Sequence, residues 1–143
     1  HSWLKLSTRL KFQLNIATPE GYEPDSGAIS EAISVRTSDI ELFNNPFDAV
    51  KDADVIYTDV WASMGQKEEA EHRRRIFERY QVNKELMDSS GKKDTLFMHC
   101  LPAERGIEVT DEVCDSPNSI IFDQAENRMH AQNAIMLMVC EKL

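Results

Sequence analysis

Thr95-Leu96-Phe97-Met98-His99-Cys100-Leu101-Pro102-Ala103-Glu104-Arg105-Gly106 is a short apolar run that delivers a thiol directly into a proline turn. The run 95–98 reads as a strand, which puts Cys100 at its carboxyl end. In open α/β sheets, ligands bind in the crevice just past those ends. Position alone favours a buried free cysteine acting as a small hydrophobe. Two further polar constellations, each following a strand, reverse that weighting.

Working outward, further strands are predicted at 12–18, 40–43, 55–58 and 119–122, with helices over about 26–35, 46–51, 67–80, 84–89 and 124–140. The turn-rich stretch Pro19-Glu20-Gly21-Tyr22-Glu23-Pro24-Asp25 separates the first strand from the first of these helices. Strands alternating with helices call for βαβ crossovers. The expected fold is therefore α/β: a Rossmann-like three-layer αβα domain with a mainly parallel five-stranded sheet. No G-x-G-x-x-G follows the first strand, so the dinucleotide fingerprint is missing and no cofactor is expected.

With 143 residues and 41% apolar content, the chain is of a size to form one domain with a real core. A formal charge of -9 leaves no broad basic field, which argues against nucleic acid or an acidic membrane as partner. Cys100, Cys114 and Cys140 cannot all pair within one chain and lack C-x-x-C spacing. A disulfide framework or zinc knuckle is disfavoured, and a reducing compartment is expected. No apolar run approaches the roughly 20 residues that span a bilayer, and no signal peptide opens the chain, so it is expected to be soluble. It starts His1-Ser2-Trp3-Leu4-Lys5-Leu6 without an initiator methionine, entering directly into a helical pattern, and is expected to be a fragment.

The second constellation is Asp59-Val60-Trp61-Ala62-Ser63-Met64-Gly65-Gln66, after the strand at 55–58. Ser63 and Gln66 have capping-box spacing, and a helix starting there would point N–H groups at the sheet edge. Asp59 and the Ser63 hydroxyl suit an ammonium, and N–H groups near Met64 suit a carboxylate. A plain helix cap beside a solvated aspartate is the alternative.

The third is Asp123-Gln124-Ala125-Glu126-Asn127-Arg128, where Asp123 and Glu126 again have capping-box spacing. Arg128 falls in the first turns of a helix, the wrong end for a cation on dipole grounds. That mismatch points to an anionic or carbonyl ligand; pairing with Glu126 or Asp123 is the alternative.

The remaining features read as structural. Glu69 with Arg73 and Glu71 with Arg75 are i,i+4 pairs in the acid-first order, so 67–75 reads as a solvated helix face that includes His72. His130 reads as a packing residue, and Cys114 and Cys140 as inert. Met129, Ile135, Met136 and Met138 read as core. His99 has no second ligand at metal spacing, so no metal is expected.

Taken together, Asp59-Val60-Trp61-Ala62-Ser63-Met64-Gly65, His99-Cys100-Leu101-Pro102 and Glu126-Asn127-Arg128 resemble the ornithine carbamoyltransferase family. The likeness runs over essentially the whole chain, including Ala17-Thr18-Pro19-Glu20-Gly21-Tyr22-Glu23-Pro24. It implies that residues 1–143 form an L-ornithine-binding domain, with the carbamoyl phosphate domain and its Ser-Thr-Arg-Thr motif absent. Pro102-Ala103-Glu104-Arg105-Gly106 and the stretch 127–136 look most like plant or algal forms, which are plastid enzymes. Otherwise the cytoplasm or mitochondrial matrix is implied.

The resemblance further implies transfer of a carbamoyl group from carbamoyl phosphate to the δ-amine of L-ornithine, giving citrulline and phosphate in arginine biosynthesis. Asp59 and Ser63 would hold the α-amino group, and the Met64 backbone the carboxylate. Cys100 and the Leu101 carbonyl would meet the carbamoyl end, and Arg128 its oxygen. The complete enzyme is implied to be a homotrimer and the isolated piece to be inactive.

Alternatives within the chemistry are a putrescine or acetylornithine carbamoyltransferase. An aspartate carbamoyltransferase would carry proline in place of Cys100. From other classes come a non-catalytic amino-acid-binding or assembly module and a generic nucleotide-binding domain.

Overall fold

The structure, a computed structural model, describes residues 1–62 and 67–140. The expected site residues Ser63 and Met64, and the capping box built on Ser63 and Gln66, lie outside the described residues.

Helix α1 (Ser2–Ser7) leads into strand β1 (Gln13–Ala17), helix α2 (Ser26–Val35), strand β2 (Asp39–Phe43), helix α3 (Pro46–Ala49) and strand β3 (Val55–Thr58). Helix α4 (Lys67–Phe77) continues into a 3-10 turn, Glu78–Tyr80, and is followed by helix α5 (Lys84–Asp88), strand β4 (Leu96–His99), helix α6 (Asp111–Cys114) and helix α7 (Ile121–Cys140). The starts are encoded locally. Asp25 accepts the Ala28 N–H at 2.9 Å to begin α2, and Asn83 accepts that of Leu86 at 2.9 Å to begin α5. Asn45 accepts the Phe47 N–H at 3.3 Å with Pro46 at the first position of α3. Each side chain satisfies a donor the helix itself leaves open.

Both strand pairs are parallel, each joined through helices, as alternation predicts. β1 lies against β2 with Gln13 opposite Asp39 and Ala17 opposite Phe43. β3 lies against β4 with Val55 opposite Leu96 and Thr58 opposite His99.

The described residues thus form two ladders rather than one five-stranded sheet. The strand expected at 119–122 is reduced to a single bridge between Ser119 and Phe97. The Phe97 N–H donates to the Asn118 carbonyl at 2.9 Å and the Ile120 N–H to the Phe97 carbonyl at 3.0 Å. The Gln124 N–H then turns back to the Ile120 carbonyl at 2.9 Å, so helical bonding takes the groups a longer ladder would have used. Helix α7 therefore starts before Asp123, which lies within its first turn and does not cap it.

The core gathers Val50, Ile56, Val82, Leu86, Phe97, Val109, Val113, Cys114 and Ile121, with Phe97 fully enclosed. Truncating such a phenylalanine costs about 3–5 kcal/mol. Met129, Ile135, Met136 and Met138, expected in the core, are instead exposed. The reason is geometric: α7 engages β4 near its start, buries only Ile121, and runs outward from there.

Candidate functional site

Adjacency of β3 and β4 decides the geometry. Thr58 and His99 are the last paired residues, so the next residue of each strand, Asp59 and Cys100, emerge side by side at the carboxyl edge. The Cys100 Sγ donates to Asp59 Oδ1 at 2.9 Å, and the same oxygen accepts the Val60 N–H at 2.7 Å. Asp59 is exposed while Cys100 is half-buried.

Burial, and then the Asp59 carboxylate, push the Cys100 thiol above its ordinary pKa. The Tyr57 hydroxyl is also pushed up, by burial first and then by the adjoining Cys100. Trp3 packs edge-on to Tyr57 at 5.2 Å. The Tyr57 hydroxyl works the other way but is outweighed, so among the described residues the surroundings favour the protonated thiol as a hydrogen-bond donor.

The turn after Cys100 is held from beneath. His99 and Glu108 are both fully buried, and His99 Nε2 stands 3.4 Å from Glu108 Oε1. The Leu101 N–H donates to His99 Nδ1 at 2.9 Å, so the imidazole carries its hydrogen on Nε2, toward the glutamate. Glu108 Oε1 also accepts the Glu104 N–H. Two buried side chains therefore fasten both limbs of the loop. Within it Leu101 adopts a left-handed φ of 57° and the Leu101–Pro102 bond is cis.

Arg128 lies about two turns into α7, across a cleft of about 720 Å³. Cys100, Leu101, Pro102 and Ala103 line one wall, and Ala125, Arg128, Met129 and Gln132 the other. Among the described residues Arg128 makes no ion pair; Glu126 instead lies 3.5 Å from His130. The structure thus brings Asp59, Cys100, Leu101 and Arg128 to one edge. A carboxylate for an ammonium, a thiol donor and an unpaired guanidinium suit a zwitterionic amine on one side and a polarised carbonyl on the other. Among the described residues no three His, Cys, Asp or Glu side chains cluster as metal ligands.

Sequence reading passed over His99 and Glu108 as members of the site, and read Arg73 as part of a solvated face. A signal existed for His99: with Phe97 it occupies the inward alternate positions of β4. None existed for Glu108, whose burial depends on the loop closing over it.

Residues 1–139 match the aspartate/ornithine carbamoyltransferase family over its Asp/Orn binding domain. The chain is 57% identical over 142 residues to the chloroplastic ornithine carbamoyltransferase of Pisum sativum, covering 99% of this chain and 38% of that protein. It is 58% identical to the ornithine carbamoyltransferase of Thermococcus kodakarensis over 97% of this chain and 45% of that one. Among solved structures, the Pyrococcus furiosus ornithine carbamoyltransferase superposes with a TM-score of 0.87 at 56% identity, covering 95% of this chain and 44% of that chain. The chain spans less than half the length of each relative. The domain match, these identities and the shared fold agree: the chain belongs to the aspartate/ornithine carbamoyltransferase family, in its Asp/Orn-binding domain.

Proposed function

We propose that residues 1–143 form the L-ornithine-binding domain of an ornithine carbamoyltransferase whose complete chain transfers the carbamoyl group of carbamoyl phosphate to the δ-amine of L-ornithine. The observation that carries this reading is the contact of the Asp59 carboxylate with the Cys100 thiol at neighbouring strand ends, facing Arg128 across a cleft. Asp59, with Ser63, receives the α-ammonium of ornithine, and the Met64 backbone its carboxylate. The lone pair of the uncharged δ-amine forms the new N–C bond at the carbamoyl carbon. The C–O bond to phosphate breaks with its electron pair on phosphate, and the departing phosphate takes up the proton that the amine gives up. Arg128 meets the charge that grows on the carbamoyl oxygen, while Cys100 and the Leu101 carbonyl orient the carbamoyl amide. In this reading the amine attacks the carbamoyl carbon directly and no thioester on Cys100 is needed.

Relatives known as ornithine carbamoyltransferases support ornithine as the carbamoyl acceptor, and an anabolic form among them, from Pyrococcus furiosus, supports a role in arginine biosynthesis. We place the complete protein in a homotrimer and, if it is of plant or algal type like the pea relative, in a plastid, otherwise in the cytoplasm or mitochondrial matrix. No described helix is long and apolar enough to cross a membrane. The test is to express the complete polypeptide and measure citrulline from ornithine and carbamoyl phosphate. An absence of citrulline, or equal turnover of putrescine or N-acetylornithine, overturns the reading.

A further inference from the structure

Spacing gives Glu69 with Arg73 and Glu71 with Arg75 the same standing, as two acid-first pairs on one helix. The structure separates them. Glu71 and Arg75 approach only to 3.8 Å, with side chains 70% and 80% exposed. Arg73 is 34% exposed and spends every guanidinium nitrogen: Nε and Nη2 donate to Glu69 Oε1 at 3.0 and 2.7 Å, and Nη1 donates to the Trp61 carbonyl at 3.2 Å. Its guanidinium also lies 5.7 Å from the centre of the Tyr22 ring.

The aromatic partners close a circuit. Trp61 stacks at 5.8 Å on Phe77, one turn beyond Arg73 on α4, and Phe77 meets Tyr22 edge-on at 5.0 Å. Trp61 lies past the last paired residues of β3 and β4, Thr58 and His99, so its carbonyl has no strand neighbour. Arg73 supplies the donor it lacks, two residues from the Asp59 carboxylate.

We propose that Arg73 is a positioning residue for the amino-acid subsite, fixing the Trp61 carbonyl and so the backbone that aims Asp59 at the substrate ammonium. The inference rests on the role given to Asp59 under the proposed function. Arginine suits the task because its rigid fork serves a carboxylate and a carbonyl at once, which the single point of a lysine ammonium does not. Arg128 lies on α7. The Cys100 turn touches Asp59 and, through the ion pair of Arg74 with Glu104, α4, but keeps its own buried supports in His99 and Glu108. Loss of the tether therefore falls mainly on ornithine and only weakly on carbamoyl phosphate.

In the complete protein, with ornithine varied at saturating carbamoyl phosphate, Arg73→Gln is expected to raise KM for ornithine on the order of tenfold, the scale of one hydrogen bond to a charged group. kcat and the KM for carbamoyl phosphate stay within about threefold. Arg73→Lys, which keeps the charge and loses the fork, behaves like Arg73→Gln, and Arg75→Gln behaves as wild type. Wild-type ornithine KM in Arg73→Gln, or full function in Arg73→Lys, overturns the proposal. If Arg73→Gln does not fold, Glu69→Gln carries the same test, with a smaller rise expected and no rise overturning it. Hydrogen exchange separates the tether from the reaction. The peptide covering 59–62 exchanges faster in Arg73→Gln while that covering 96–109 does not, whether or not citrulline is made; unchanged exchange at 59–62 overturns the tether.

Discussion

The Cys100 turn and helix α7 face each other across one cleft, and they are secured in opposite ways. Beneath the turn lie His99 and Glu108, fully buried, each accepting a backbone N–H from the loop. The Gln81 side chain adds bonds to the Gly106 and Ile107 carbonyls at 3.1 and 2.9 Å, and the Val82 N–H reaches the Glu108 carbonyl at 2.8 Å. Helix α7 buries Ile121 and then presents Met129, Ile135, Met136, Leu137, Met138 and Val139 to solvent. One wall of the cleft is preorganised by this chain's own core. The other brings a guanidinium on a helix that, within the described residues, buries only Ile121 at its start. Preorganisation of donors is what makes an oxyanion site effective, so the two walls should respond to substitution in different ways.

The largest effect should come from the lightly anchored wall. In the complete protein, Arg128→Gln should lower kcat by on the order of 10² or more, as removal of one oxyanion donor does. Because Arg128 has no ion pair among the described residues, the melting temperature should not move. A fall in stability matching the loss of activity would break the contrast.

Across the cleft, Asp59→Asn should weaken ornithine saturation by roughly 1.5–3 kcal/mol, the scale of a hydrogen bond to a charged group. Unchanged saturation refutes the assignment of Asp59 to the ammonium.

Beneath the turn, Glu108→Ala strands the Glu104 N–H and removes the group facing His99 Nε2. Urea unfolding should show a loss of roughly 1–3 kcal/mol, the cost of leaving buried polar groups unpaired. A neutral result would mean that the turn is held by its backbone bonds alone.

The smallest effects belong to the thiol. Its pKa is raised, so between neutrality and the ordinary thiol range Cys100 should alkylate more slowly than exposed Cys140, followed site by site by mass spectrometry. Asp59→Asn removes a carboxylate that opposes thiolate formation and should speed that alkylation. Cys100→Ser should keep measurable activity, and a carbamoyl-thioester trapped on Cys100 would overturn direct attack.

The legible parts of the sequence were those with a local cause. β3 is found at 55–58 as expected, and α2 over Ser26–Val35, because Asp25 marks the start of that helix and alternation marks the strand. Asp59, Cys100 and Arg128 were readable because each follows or closely succeeds a strand signal. The fifth strand was misread because 119–122 has strand-like composition, and only the competition with helical bonding from Ile120 onward decides against it. The methionines of α7 were misread because helical spacing of apolar residues marks a face without saying what lies against it.

By itself, then, the sequence singled out Asp59, Cys100 and Arg128 as candidates, since caps, alternation and turns are local properties of the chain. Asp59 and Cys100 stand just past strand ends, and Arg128 about two turns into α7. The tertiary structure decided that β3 and β4 are neighbours in a register pairing Thr58 with His99, and so that Asp59 touches Cys100. It also decided that Glu108 is buried under the turn and that Arg73, not Arg75, reaches the Trp61 carbonyl. Those contacts join residues 9 to 41 positions apart, and no local pattern encodes a pairing that exists only once the core around Phe97 has closed.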